Sequence, residues 1–170
     1  MLSPQYLAGF FDGEGMVSIC YVRKRIWKSD PTKKTFGFRA VVGIANTHKP
    51  ILELIKQEFG GDMYLNKRTN PNWQPVWAWK LTGKNAQIKF LQFIEPFVVV
   101  KRQPVLLGLQ YLSTVGKIGS RTSQDDWDTR IAIHDQLRKL NRPGYPRRYE
   151  PIPVEAIHSA GRNTRYRIQP

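Results

Sequence analysis

Cysteine is almost missing from this chain: Cys20 is the only one in 170 residues. One thiol excludes an internal disulfide and any cysteine-built metal cluster. Histidine is nearly as scarce, and His48, His134 and His158 lie too far apart for metal-ligand spacing. Any metal the protein uses must therefore be a hard cation on oxygen ligands. Long apolar runs are lacking too. Nothing approaches the roughly 18 consecutive apolar residues of a membrane span, and the start MLSPQYLAGFF has neither a basic leader nor a small-residue cleavage site. The expectation is a protein that stays inside the cell, is not secreted and has no membrane partner.

Acids are the third shortage. Thirteen Asp and Glu against 27 Lys and Arg leave a net charge of +14, which makes a polyanion the natural partner. A ribosomal-type surface carries the same overall balance, so placement is more telling. Between Glu14 and Glu53 the only acid is Asp30, while Arg23, Lys24, Arg25, Lys28, Lys33, Lys34, Arg39 and Lys49 crowd the same interval. A potential that one-sided suits a phosphate backbone.

With 41% hydrophobic residues, the chain can build one core that buries roughly two-thirds of the unfolded surface. The expected domain covers residues 1–140. It is followed by an arm, 141–170, rich in Pro and in Arg (Arg142, Arg147, Arg148, Arg162, Arg165, Arg167), which reads either as a disordered end or as a strap along a polyanion.

Ser3 before Pro4 opens a helix, and Gly13 and Gly15 close it about three turns later. From Met16 the period changes to two, with Val17, Ile19 and Tyr21 alternating with Ser18, Cys20 and Val22. A basic loop is expected over Arg23–Thr35, then a strand with Phe38, Ala40, Val42 and Ile44 on one face. KPILELIKQEFGG has helical spacing and a glycine end. Two strands follow, around Met63–Arg68 and Val76–Leu81, and then a helix with Ile88, Leu91 and Ile94 on one side. Further helices are expected from about Arg102 to Leu112 and from Ser123, where Asp125, Asp126 and Asp128 suit the helix dipole. The order α-β-β-α-β-β-α with antiparallel pairing is an α+β, two-layer architecture, with extra C-terminal helices and the basic tail beyond it.

One face of the strands carries Ser18, Cys20, Arg39, Asn66, Arg68 and Lys80. A basic and polar sheet face fits a DNA major groove, where Arg reads guanine and Asn reads adenine. An ordinary solvated sheet surface shares this pattern apart from its shortage of acids.

The first helix supplies a second inference. Tyr6, Gly9, Phe10 and Gly13 share one stripe, with Leu7 and Phe11 on the neighbouring one. Glycine costs a helix about 1 kcal/mol relative to alanine, and close approach of another backbone is a physical reason to bear that cost. The helix ends in two acids, in DGEG. A calcium loop needs acids at several alternating positions and a terminal Glu, and DGEGMVSICY has neither. A carboxylate in so basic a protein makes sense as the holder of Mg²⁺ against a phosphate, which points to phosphodiester cleavage.

YLAGFFDGEG resembles the LAGLIDADG motif of homing endonucleases, and the element order over roughly residues 3–100 is similar to that family's core. The resemblance implies a saddle-shaped sheet over DNA and a metal ligand at Glu14, the second acid of the motif. Most members have Asp there. Asp12 would then be structural. It also implies a polar residue near the scissile phosphate at Asn46, with Thr47 or His48 as alternatives, and a lysine after the Pro-Phe pair of EPFVVVKRQ, Lys101. The catalytic set would be Glu14, Asn46 and Lys101, with Mg²⁺, Mn²⁺ or Ca²⁺ at one site. Base contacts would come from Ser18, Cys20, Val22, Lys24, Arg39, Asn66, Arg68 and Lys80. Because the chain has one motif copy, the resemblance implies a homodimer packed through Tyr6, Gly9, Phe10 and Gly13, cutting a nearly palindromic duplex. The competing reading on the same fold is an intron splicing cofactor that binds intron RNA, or a non-cutting DNA-binding protein.

Overall fold

Ser3 and Pro4 open a helix as the sequence predicts. In the computed structural model, which describes residues 1–25, 34–66, 72–116 and 122–141, α1 runs Pro4–Glu14, and the Ser3 hydroxyl accepts from the Tyr6 N–H at 3.2 Å. The elements that follow are β1 (Gly15–Arg25), β2 (Lys34–Asn46), α2 (Lys49–Phe59), β3 (Asp62–Asn66), β4 (Val76–Leu81) and α3 (Lys84–Ile94). After a single 3₁₀ turn at Glu95–Phe97 come α4 (Arg102–Thr114) and α5 (Gln124–Asn141). The expected α+β order is therefore present, with two C-terminal helices beyond it.

All four strands join one antiparallel sheet in the order β1-β2-β4-β3. The β1–β2 ladder runs from Gly15 opposite Ile44 out to Arg25 opposite Lys34. The two ends of the basic loop expected over Arg23–Thr35, Arg23 to Arg25 and Lys34 to Thr35, are therefore strand, since the backbone ladder continues even where every side chain is polar or charged. Residues 26–33 of it, with 67–71 (including Arg68), 117–121 and the arm 142–170, lie outside the described residues.

Alternation sets what each face does. Val17 and Ile19 on β1, Phe38, Ala40, Val42 and Ile44 on β2, and Trp79 and Leu81 on β4 all point to one side and are buried. The helices cover that side with Leu7, Phe11, Leu52, Ile55, Phe90, Leu91 and Ile94, and the core cluster contains no residue of the opposite sheet face. Phe90 is its hub, with ring centroids 5.0 Å from Phe59, 5.1 Å from Trp79 and 5.7 Å from Phe11. Truncating such a ring costs about 3–5 kcal/mol.

The stripe expected on α3 needs correction. Leu91 and Ile94 are buried, but Ile88 is only half-buried, and the inward positions are Gln87 and Phe90. Gln87 is polar, so periodicity of apolar residues misses it. Its amide donates to the carbonyls of Ala40 at 2.9 Å and Leu81 at 2.7 Å, tying α3 across β2 and β4.

Candidate active site and nucleic-acid interface

The end of α1 is built around one steric requirement. Gly15 starts β1 in an extended conformation, its N–H donating to the carbonyl of Phe11. A Cβ at that position would lie 2.2 Å from the Phe11 ring, so only glycine lets the chain turn this tightly from helix to strand. The turn leaves Glu14 exposed at the junction, and no hydrogen bond within the described residues holds its carboxylate.

Asp12, two residues earlier, is fully engaged. Its Oδ2 accepts from the N–H of Val99 and its Oδ1 from that of Lys101, both at 2.8 Å. Burial pushes its carboxyl up, but the N–H groups of Val99, Lys101 and Val100, helped by the Lys101 charge, outweigh this and hold it below the ordinary aspartate range. The two acids of the motif thus differ: Asp12 is tied to backbone N–H groups, whereas the Glu14 carboxylate has no hydrogen-bond partner among the described residues.

Lys101 comes to the same place from the other side. It is the residue before α4, and its Nζ donates to the carbonyls of Phe11 at 3.1 Å and Gly13 at 3.3 Å, the open C-terminal end of α1. Burial draws its ammonium below the ordinary lysine value, against the opposing pull of Asp12 and then Glu14. Glu14 and Lys101, 87 positions apart in the chain by their numbers, are therefore electrostatic neighbours.

Asn46 ends β2. Because Gly15 faces Ile44, Asn46 lies two residues past the start of β1, at the same end of the sheet as Glu14. Its Oδ1 accepts from the His48 N–H at 2.8 Å, which shapes the turn into α2 and leaves the side-chain NH₂ as donor. Thr47 and His48 are exposed beside it.

Among the described residues no group of three or more His, Cys, Asp or Glu side chains is placed to hold a metal ion. A single uncommitted carboxylate still suits Mg²⁺, which keeps several waters and is commonly bound by one or two carboxylates together with substrate phosphates. Glu14 is an exposed oxygen donor of that kind.

The sheet face away from the core carries Ser18, Cys20, Arg39, Asn66 and Lys80 of the expected polar set. Cys20 and Arg39 are cross-strand partners and both are exposed. Ser18 and Val22 are half-buried on the same face, and Asn66 is exposed on β3. Lys24 belongs to the β1 ladder, opposite Thr35. Lys80 faces Asp62 across β3–β4 and stands 4.8 Å from the ring of Tyr64. Neither Tyr64 nor Asp62 is among the expected contacts, although alternation carried back two and then four residues from Asn66 reaches both. Met16, Val41 and Ala78 share this face by register, so its centre is apolar between polar flanks.

The outer stripe of α1 is open. Tyr6 is 51% exposed, its ring stacked on half-buried Phe10 with centroids 6.2 Å apart. A Cβ on Gly9 or Gly13 would meet nothing within 4 Å. Leu7, Ala8 and Phe11 hold the opposite side of the helix in the core.

A sheet face left open by the helices, with an exposed carboxylate and a lysine at its end, suits a DNA-cutting hydrolase. The model of the LAGLIDADG endonuclease family matches residues 7–100, and the chain belongs to that family, the site-specific DNA endonucleases its motif suggested. The fold is shared with solved structures. The homing endonuclease I-CvuI, in complex with DNA, superposes with a TM-score of 0.64 at 19% identity, over 92% of this chain and 90% of that one. I-Vdi141I, an archaeal intron-encoded homing endonuclease complexed with DNA, gives 0.64 at 21% identity over 92% of each chain. I-SmaMI, bound to an uncleaved DNA target in the presence of calcium ions, gives 0.58 at 18% identity over 86% of this chain but 51% of its own. No curated protein matches the chain. No described helix is long and apolar enough to cross a membrane.

Proposed function

We propose that this endonuclease acts as a homodimer that cuts both strands of a long, nearly twofold-symmetric DNA site, using Mg²⁺ or another divalent cation held by Glu14 of each subunit. The observation that carries the reading is that one helix bears both features: its outer stripe of Tyr6, Gly9, Phe10 and Gly13 is open to a second copy, and its last residue is a free carboxylate. One Glu14 serves one strand, so two copies about a twofold axis serve the duplex.

The cation, when bound, stabilises charge on the attacking and leaving oxygens of the phosphodiester. Around it the protein supplies three groups. Glu14 orients the ion, Lys101 brings positive charge to the phosphate as negative charge builds up on it, and the Asn46 NH₂ is free to donate to the attacking water or to a phosphate oxygen. The open sheet face, with Ser18, Cys20, Val22, Arg39, Asn66 and Lys80, lies in the major groove, Lys24 and Arg68 supply further base contacts, and the arginine-rich arm follows flanking DNA.

A splicing cofactor or non-cutting binder on this fold would have no use for an unpaired Glu14 beside Lys101, and that pair favours the enzyme. The test is incubation of purified protein with a plasmid carrying the uninterrupted sequence of its own insertion site. Mg²⁺-dependent double-strand cleavage is expected. Tight binding of that plasmid and of intron RNA without any cleavage would refute the reading.

A further inference from the structure

We propose that Asp12 is a positioning residue for Lys101: its carboxylate grips the turn ahead of α4 so that the lysine ammonium is held at the end of α1 beside Glu14. The inference rests on the reading of Lys101 as a catalytic group and goes beyond it in naming what puts that group in place.

The turn over Val98–Lys101 has little packing of its own. Val99 and Val100 are 79% and 76% exposed, and only Val98 reaches the core. Its backbone is bonded at either end to α3 and α4, through the Ile94 carbonyl and the Val105 N–H, and the N–H groups of Val99 and Lys101 are held by Asp12. A carboxylate there also suits the positive N-terminal end of α4. Lys101 sits at φ −99°, ψ 21°, in the bridge region where active-site residues are found more often than their overall frequency suggests. From that backbone its side chain returns to the carbonyls of Phe11 and Gly13, the negative end of α1. Four hydrogen bonds thus close a ring between two helix ends. Asp12 fixes the N–H side of the turn; without it the backbone keeps the Val98 N–H on the Ile94 carbonyl and the Val105 N–H on the Lys101 carbonyl, and the lysine side chain has its two carbonyl contacts on a solvent-exposed turn.

The clamp is tested with Asp12→Asn, which keeps the shape but sets an NH₂ against a backbone N–H. Asp12→Ser is used if that variant does not fold. The loss expected is about tenfold to a hundredfold in single-turnover cleavage, with DNA affinity changed by under about threefold. In a Lys101→Ala background the same substitution should slow cleavage by less than about twofold, because its effect runs through the lysine. Losses that multiply, or a cleavage rate untouched by either substitution, would overturn the inference. A second readout needs no activity. After reductive ¹³C-methylation of the lysines, the Lys101 resonance, assigned through Lys101→Arg, should stand apart from the bulk in wild type and join it in Asp12→Asn. A resonance that does not move overturns the clamp, whereas a wild-type protein that shows this shift yet cuts no DNA overturns only the functional reading.

Discussion

Asn141, the last residue of α5, donates its side-chain amide to the backbone carbonyl of Val17 at 2.8 Å. Val17 belongs to β1, an edge strand of the sheet, and an edge presents unpaired backbone groups that natural proteins cover or blunt. α5 does the covering. Its Trp127, Ile133 and Leu137 are buried, and the Trp127 ring lies 5.1 Å from that of Phe38. Both helices beyond residue 100 thus complete the layer over the core, and α4 comes so close to β1 that a Cβ on Gly108 would lie 2.8 Å from Val17 Cγ1.

Replacing Asn141 by Ala should therefore lower stability by about 1 kcal/mol, the worth of one intramolecular hydrogen bond. In urea denaturation the midpoint should fall with an unchanged slope. A midpoint equal to wild type would mean that the Val17 carbonyl is equally well served by water.

Glu14→Gln removes the free carboxylate but preserves size and the helix-to-strand turn. Cleavage should fall on the order of 10³-fold, about 4 kcal/mol of transition-state stabilisation. DNA binding should persist or tighten, because a negative charge beside phosphate is gone. Single-turnover cleavage and gel-shift titration measure the two separately. Residual cleavage within about tenfold of wild type would exclude Glu14 as the metal ligand.

The glycine stripe makes a prediction with opposite signs in one variant. Because a Cβ at Gly9 meets nothing within 4 Å, Gly9→Ala should stabilise the isolated subunit's helix by up to about 1 kcal/mol. The same methyl should keep a partner helix from close approach and weaken association. Sedimentation equilibrium reads the second effect, and denaturation at concentrations below the dimer dissociation constant reads the first. A variant that dimerises as tightly as wild type would remove this stripe from the interface.

How much of this was legible beforehand depended on whether the signal was periodic. Val17, Ile19, Phe38, Val42 and Ile44 were readable as an inward face because strands alternate strictly, and the ends of α1 and α2 were marked by Ser3–Pro4 and Gly60. The motif marks Asp12 and Glu14 as a pair of acids, but what Asp12 holds is not legible in it, since its partners are backbone N–H groups of residues 99 and 101. A sequence shows no sign of which backbone group a side chain will reach. Gln87 escaped for the opposite reason: it is a polar residue doing a core residue's task, and no apolar count registers it. The joining of β2 to β4 likewise depended on long-range pairing that alternation alone does not specify.

Tyr111 carries a pH signature in the core. Burial raises its phenol to about 12, opposed by the Arg130 charge and reinforced by Cys20. Its deprotonated form is the one the fold disfavours. Stability is accordingly unaffected below the unfolded value near 10 and declines as pH rises from there toward about 12. Tyr111→Phe should remove that decline from the alkaline limb while costing little at neutral pH. An unchanged limb would assign it to the lysines instead.

Arg39 and Lys80 share the open face but differ in surroundings, and their variants should differ accordingly. Lys80 is half-buried, opposite Asp62 in register and with its ammonium over the Tyr64 ring, whereas Arg39 is exposed beside Cys20. Arg39→Ala should cost about 1–3 kcal/mol on the specific site and relax discrimination at one base pair, as the loss of a bidentate base contact does. Lys80→Ala should weaken specific and non-specific DNA alike and by less. Affinity measured from about 50 to 200 mM salt distinguishes the two, because loss of a phosphate contact lowers the slope of log affinity against log salt by roughly 0.9 and loss of a base contact does not. If Arg39→Ala flattens that slope and leaves base preference intact, Arg39 contacts the backbone, and the reading of bases by β2 shifts to the small residues around Val41 and Ala45.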